Sequence, residues 1–153
     1  MQGDVVSVER VIAARPERIF ELVADASKHS LIDGSGTVRG VQDGTPERLR
    51  AGAEFGMSMR AGIPYSMVSK VIEYDDNRRI AWQARPKGPV GSLVGGRIWR
   101  YELEPREGGT LVRESWDISR DKQRFMLRMG GLPQRTKRNM EKTLERIAEL
   151  VET

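Results

Sequence analysis

Glu114 is the side chain with the clearest capacity for chemistry. It lies in the segment Thr110 to Ile118, where Val112, Glu114, Trp116 and Ile118 alternate onto one face of a strand. A carboxylate on an inward face must be paired, protonated or wet. Held neutral in apolar surroundings, it can act as a general acid or base near neutral pH. Two other outcomes stay open: an ion pair with an inward Arg, or a one-residue bulge that turns the side chain to solvent. Arg100 and Arg113 fall on the opposite parity and are expected in solvent. Arg60 can reach either face, because Gly62 and Pro64 disturb the register beside it. Tyr65, Tyr101 and Arg60 are the candidate proton donors and carbonyl binders that would work with Glu114.

Other chemistries are narrowly bounded. The chain has no Cys, which excludes disulfides, thiolate metal sites and a Cys nucleophile. That composition fits a reducing compartment. His29 is the single histidine, so no His-based metal cluster can form and any Ser-His-Asp triad would have to use it. A lone His in a short helical segment reads as a surface residue. No metal and no cofactor are expected. The Gly/Pro-rich stretch 86–96 lacks a Gly-Lys-Ser/Thr ending and opens no helix, so it reads as a hairpin loop rather than a phosphate cradle. Val90, Leu93 and Val94 are placed there to cover a ligand. From Arg120 to Arg146, nine basic residues face three acids, a local excess above the net +4 of the whole chain. The plain reading is a solvated helix face. The sharper ones are an anionic ligand, an anionic membrane surface or RNA. No aromatic platform interleaves with these charges, so nucleic acid is not expected as a partner.

The elements that must position these groups follow from periodicity. Val5, Val6, Val8, Val11 and Ile12 give a first strand. Pro16 opens a short helix with Ile19, Phe20, Leu22 and Val23 on its apolar stripe, and Asp25-Ala26-Ser27 caps a second one reaching about Ile32. Strand patterns then cover 37–41, 53–60, 63–74, 79–85, 97–104 and 110–118, with turns at 33–36, 75–77 and 107–109. Phe125 to Leu132 reads as an apolar helical turn or two, broken by Gly130-Gly131-Leu132-Pro133 and suited to gating. Met140, Leu144, Ile147, Ala148 and Val151 share one face of a helix predicted over 135–151. One α+β domain spanning 1–153 is the expectation. No leader or membrane-spanning run is legible, so a soluble, cytoplasmic monomer or homodimer is expected.

Three stretches carry a family resemblance: the opening strand followed by Ala14 to Asp25, then Val71 to Trp82, then Trp99 to Thr110. With the element order, they resemble the helix-grip superfamily, which includes the START-like (SRPBCC) lipid-transfer domains, and within it the bacterial polyketide cyclase/dehydrase-type branch. The resemblance covers nearly the whole chain and is specific for fold more than for function. It implies a strongly bent antiparallel sheet of about seven strands, in the order β-α-α-β6-α, gripping the long C-terminal helix. It also implies a cavity for an apolar molecule between them. The candidate lining on the strands is Met57, Met59, Tyr65, Met67, Trp82, Trp99, Tyr101 and Trp116, and Phe125 and Met129 join it from the helical side. Met adapts to irregular ligands and aromatics offer area with a polar tip. The same residues at period two are equally compatible with plain core.

Three readings result. The first is binding, or transport, of a hydrophobic small molecule such as a lipid, polyketide or aromatic compound. The second is a cyclase, aromatase or dehydratase using Glu114 as acid/base. The third is a protein or membrane interaction domain using the basic C-terminal helix, which predicts a small, filled cavity and an exposed apolar patch. Whether the protein is an enzyme stays open at this point.

Overall fold

The computed structural model of the protein describes residues 1–41 and 48–152. Seven strands form one antiparallel sheet in the order β1-β7-β6-β5-β4-β3-β2. Strand β1 (Val5–Ile12) is followed by α1 (Pro16–Val23), a 3₁₀ turn at Ala26–Lys28 and α2 (His29–Ile32). The remaining strands are β2 (Val38–Val41), β3 (Glu54–Ala61), β4 (Ile63–Asp75), β5 (Arg79–Pro86), β6 (Arg97–Arg106) and β7 (Gly109–Asp117). Helices α3 (Arg124–Leu127) and α4 (Leu132–Val151) complete the chain. The order agrees with the periodicity, and β1 closes against β7 rather than against its sequence neighbour.

The sheet curls, and one cause lies in β4. Val71 pairs with Trp82 and Glu73 pairs with Ala81, so Ile72 is an extra residue. Such a bulge bends its strand and reverses parity beyond it. Tyr74 therefore turns inward, opposite Ile80, and meets the Phe20 ring of α1 edge-on at 5.7 Å. Alternation in sequence carries no mark of this slip.

α4 begins at Leu132, three residues ahead of the predicted start at 135. Gly131, the residue before α4, has φ 75°, a left-handed conformation that turns the chain into the helix, and Pro133 occupies the first turn, where its missing N–H costs nothing. The glycine pair closes the short 128–131 connection between α3 and α4. α3 is a single turn, shorter than the apolar run suggested. Met140, Leu144, Ile147, Ala148 and Val151 are all buried, as their spacing requires. Burying a side chain of the Leu, Ile or Met kind is worth about 1.5–3 kcal/mol, so this stripe is enough to hold α4 on the sheet. Gly34 seats α2 on α4: a Cβ there would lie 2.1 Å from the Asn139 carbonyl oxygen, and its N–H donates to Thr143 Oγ1 at 2.9 Å.

The convex face carries charge. Arg113 pairs with Glu9 at 2.7 Å in solvent, as its parity predicts. Arg100 shares that face but is not simply solvated. Its guanidinium donates to both oxygens of Glu73, at 2.9 and 2.7 Å, and reaches Asp117 at 3.5 Å. Its side chain is only 17% exposed as a result.

Candidate functional site

Register puts Glu114 at the centre of the concave face. It stands opposite Val8 of β1 on one side and Tyr101 of β6 on the other, and Tyr101 in turn stands opposite Ile80 of β5. One step along, Val6, Trp116, Trp99 and Trp82 form a parallel row across the same four strands. Residues directly opposite in an antiparallel pair share a face, so these two rows make one aromatic surface with a single carboxyl in it.

Glu114 is 3% exposed. Its carboxyl accepts a hydrogen bond from the Tyr101 hydroxyl, and its Oε1 has no partner. Burial pushes its pKa well above the ordinary value, the Tyr101 bond opposes that, and the negative charge of Asp33 adds to the rise. No cation contributes. The ion-pair alternative therefore does not apply, and burial favours the neutral acid. Burial raises Tyr101 well above its usual range too, and any ionisation of Glu114 would raise it further, so its hydroxyl keeps its proton.

His29 is not the surface residue its isolation suggested. It is buried, stacked on Trp82 at 4.8 Å with 19° between the ring planes, and edge-on to Phe55 at 5.7 Å. Its Nε2 lies 2.9 Å from the Val23 carbonyl. A carbonyl only accepts, so Nε2 carries the proton. Burial lowers the His29 pKa, which keeps the ring neutral. Trp82 meets Phe55 at 5.6 Å and Tyr101 at 5.8 Å, so one aromatic chain runs from α2 across the sheet to Glu114. Phe55 shares parity with Met57 and Met59, the signal that marks it in sequence. Nothing in the sequence marks the stacking of His29, because it depends on α2 folding back over β5.

The predicted lining divides into three groups. Met57, Trp82, Tyr101 and Trp116 are buried together in the core. Met59, Met67 and Trp99 are half-buried, with Met57 opposite Met67 and Met59 opposite Tyr65 on neighbouring strands. Tyr65, Phe125 and Met129 are exposed. Tyr65 sits near the tip of the β3–β4 hairpin beyond the cover of α4. Phe125 and Met129 stand outside the interior because one turn of helix can turn only part of its surface inward, and Leu127 takes that position. Arg60 and Tyr65 are exposed at that hairpin while Glu114 is buried at the centre of the sheet, so of the three candidate proton donors the structure brings only Tyr101 to Glu114. Of the loop residues expected to cover a ligand, Val90 and Leu93 are exposed and Val94 is half-buried.

Among the described residues, two surface clefts lie away from this cluster. One, of about 330 Å³, lies between Arg78, Arg79, Glu102 and Arg113; the other, of about 390 Å³, lies between Glu17, Glu21, Arg48 and Asp76. Both are walled by charged side chains, and neither touches Trp82, Tyr101 or Glu114. Among the described residues, no three His, Asp or Glu side chains converge as a metal site, and no helix is long and apolar enough to cross a membrane.

Comparison with known proteins places this geometry among relatives. Residues 4–152 match the family described as polyketide cyclase / dehydrase and lipid transport. The uncharacterized protein Rv0088 of Mycobacterium tuberculosis is 34% identical over 108 residues, which cover 69% of this chain and 44% of that protein. The chain thus spans less than half the length of this relative. Protein CV1439 from Chromobacterium violaceum superposes with a TM-score of 0.74 at 18% identity over 98% of both chains. Protein Ms6760 from Mycobacterium smegmatis does so with a TM-score of 0.72 at 16% identity, over 96% of this chain and 90% of that one. At such identities the likeness is one of fold, the helix-grip arrangement.

Proposed function

Because the chain belongs to the polyketide cyclase / dehydrase and lipid transport family, we propose that it binds an uncharged hydrophobic molecule bearing one hydroxyl or carbonyl group, between the concave face and α4. The supporting observation is the unpartnered Oε1 of Glu114, buried in an aromatic surface with no cation near it. A buried polar atom without a partner is costly, and a ligand that completes its hydrogen bonding recovers that cost. A neutral carboxyl can donate or accept, so it suits a hydroxyl or a ketone. The apolar surroundings and the negative charge of Asp33 disfavour a carboxylate there. The buried aromatics are closed on one another, so entry displaces the half-buried side, where Met59, Met67 and Trp99 line the approach. Unbranched Met side chains rearrange at low cost.

The test compares naphthalene, naphthol and naphthoate, three probes with one ring system. A net hydrogen bond is worth about 1 kcal/mol, so naphthol binds about fivefold tighter than naphthalene. Naphthoate binds most weakly. Glu114→Leu removes the preference for naphthol and leaves naphthalene bound. Equal affinity for all three probes, or a preference that survives Glu114→Leu, refutes the proposal. The same neutral acid beside Tyr101 also favours proton delivery to a reactive ligand. On that reading Glu114→Gln abolishes turnover while affinity stays nearly intact, because proton transfer acts in the transition state.

A further inference from the structure

Antiparallel pairing brings three connections to one end of the sheet. The β3–β4 hairpin, the β5–β6 loop and the β7–α3 segment meet there, since Met67 pairs with Pro86, Ala84 with Arg97 and Ile98 with Asp117. Backbone and side-chain bonds tie them into one surface. Lys87 N–H donates to the Ser66 carbonyl at 3.1 Å, Lys122 N–H to the Gly95 carbonyl at 3.1 Å, and Gly95 N–H to Gln123 Oε1 at 2.9 Å.

Large apolar side chains stand out from all three. Ile63 is 73% exposed, and Leu93 and Phe125 are each 72% exposed; Val90, Met126 and Met129 are exposed beside them. None of the six packs into the core, so folding does not account for them, and exposed apolar groups gathered this way mark a contact surface. The charge around them is one-sided. Segments 58–66, 85–97 and 119–129 contain eight Lys or Arg and one acid, Asp121, and the adjoining start of β1 adds Asp4, which pairs with Arg128 at 2.7 Å. Asp121 is 1% exposed and lies 3.5 Å from Arg97. The opposite end differs: its hairpin turns 75–78 and 104–107 hold four acids and two Arg. Arg124 also lies over the Phe125 ring, 5.0 Å from its centre, so a cation and an apolar ring project together.

We propose that this end of the protein docks onto the surface of an anionic lipid bilayer, with Ile63, Leu93 and Phe125 entering the headgroup–acyl boundary and Lys87, Lys122 and Arg124 meeting lipid phosphates. The apolar side chains project from three separate turns instead of lining a groove, which fits a fluid layer better than a shaped protein partner. Long basic side chains meet headgroups without a fixed pattern, while apolar side chains reach the acyl region between them. The proposal rests on exposed side chains that the ligand reading does not use, although Met67 adjoins this end of the sheet.

The test is co-sedimentation of the full chain with phosphatidylcholine vesicles, with and without roughly a third of phosphatidylglycerol, at about 0.1 M and about 1 M salt. The protein is expected on the anionic vesicles alone and to leave them at high salt. Lys122→Gln and Arg124→Gln each lower partitioning about fivefold, the usual effect of one basic residue near an anionic leaflet. Leu93→Ser and Phe125→Ser weaken it at constant charge, and Arg78→Gln at the opposite end leaves it unchanged. These side chains are exposed, so the variants keep the wild-type melting temperature and naphthol affinity. That retained affinity separates failure here from failure of the ligand proposal. Absence from anionic vesicles, or equal binding by every variant, overturns the proposal. A dimer in solution that Phe125→Ser dissociates, without vesicle binding, overturns it in favour of an interface between two copies.

Discussion

Glu114 makes stability fall as pH rises, opposite to the usual carboxylate. Its native pKa lies well above the ordinary 4.5 because burial disfavours the charged form. Once the pH passes the ordinary value, the unfolded chain has released the proton while the native carboxyl still holds it. The unfolded state then binds fewer protons, so unfolding free energy falls by up to about 1.4 kcal/mol per pH unit. The fall stops when the native carboxyl itself ionises. His29 acts in the other direction over part of that range. Burial lowers its native pKa below the ordinary 6.5, so on acidification the unfolded ring protonates first and stability drops below that pH. Where the two windows overlap their slopes oppose, and the wild type alone is uninformative. The difference between Glu114→Gln and wild type isolates the carboxyl, since His29 is common to both. Urea unfolding at half-unit pH steps should show that difference small under acid conditions and growing in favour of Glu114→Gln by up to about 1.4 kcal/mol per unit above the ordinary carboxyl pKa. A difference independent of pH would mean the carboxyl titrates alike in both states. A difference growing in favour of wild type would mean a carboxylate paired with a cation, and the neutral-acid argument would fail.

Gly34→Ala should lower stability by about 1–3 kcal/mol, read as a drop in melting temperature, because its Cβ meets the Asn139 backbone carbonyl rather than a movable side chain. Met140→Ala should cost about 2–5 kcal/mol in denaturant unfolding, since Met140 is fully buried between α4 and the sheet. Arg113→Ala, by contrast, removes only a solvent-exposed pair with Glu9 and should change stability by less than about 1 kcal/mol.

Much of the fold was legible because local rules decide it. Period-two alternation set the strand faces, including the inward aim of Glu114. A 3.6-residue stripe set which side of α4 is buried, and Pro16 marked the start of α1 where the chain bends back over the sheet. The start of α4 was less legible. Gly130-Gly131 reads as a break, and a left-handed Gly131 makes it a short corner directly before Leu132, so the helix starts earlier than the break suggests.

The site was legible as a set of inward residues, Glu114 with Tyr101, Trp82, Trp116 and Met57, but not as a set of contacts. Strand parity alone places Glu114 inward, since a side chain's face depends on its own strand. What it meets depends on which strands pair, and β1 closing on β7 joins segments more than a hundred residues apart. The Tyr101 partner comes from the β6–β7 hairpin register, and the stacking of His29 on Trp82 from α2 folding over β5. The bulge at Ile72 arises in the β4–β5 pairing, and the outward position of Phe125 and Met129 from the shortness of α3. Parity and periodicity describe a segment as though its neighbours were regular, and a bulge or a one-turn helix breaks that premise without changing residue type. The sequence by itself determined which side chains face in along regular elements, because backbone geometry within an element is local. Tertiary structure alone decided which of them touch, which stay wet and which carry charge, because contact, burial and pKa depend on chain segments that meet only on folding.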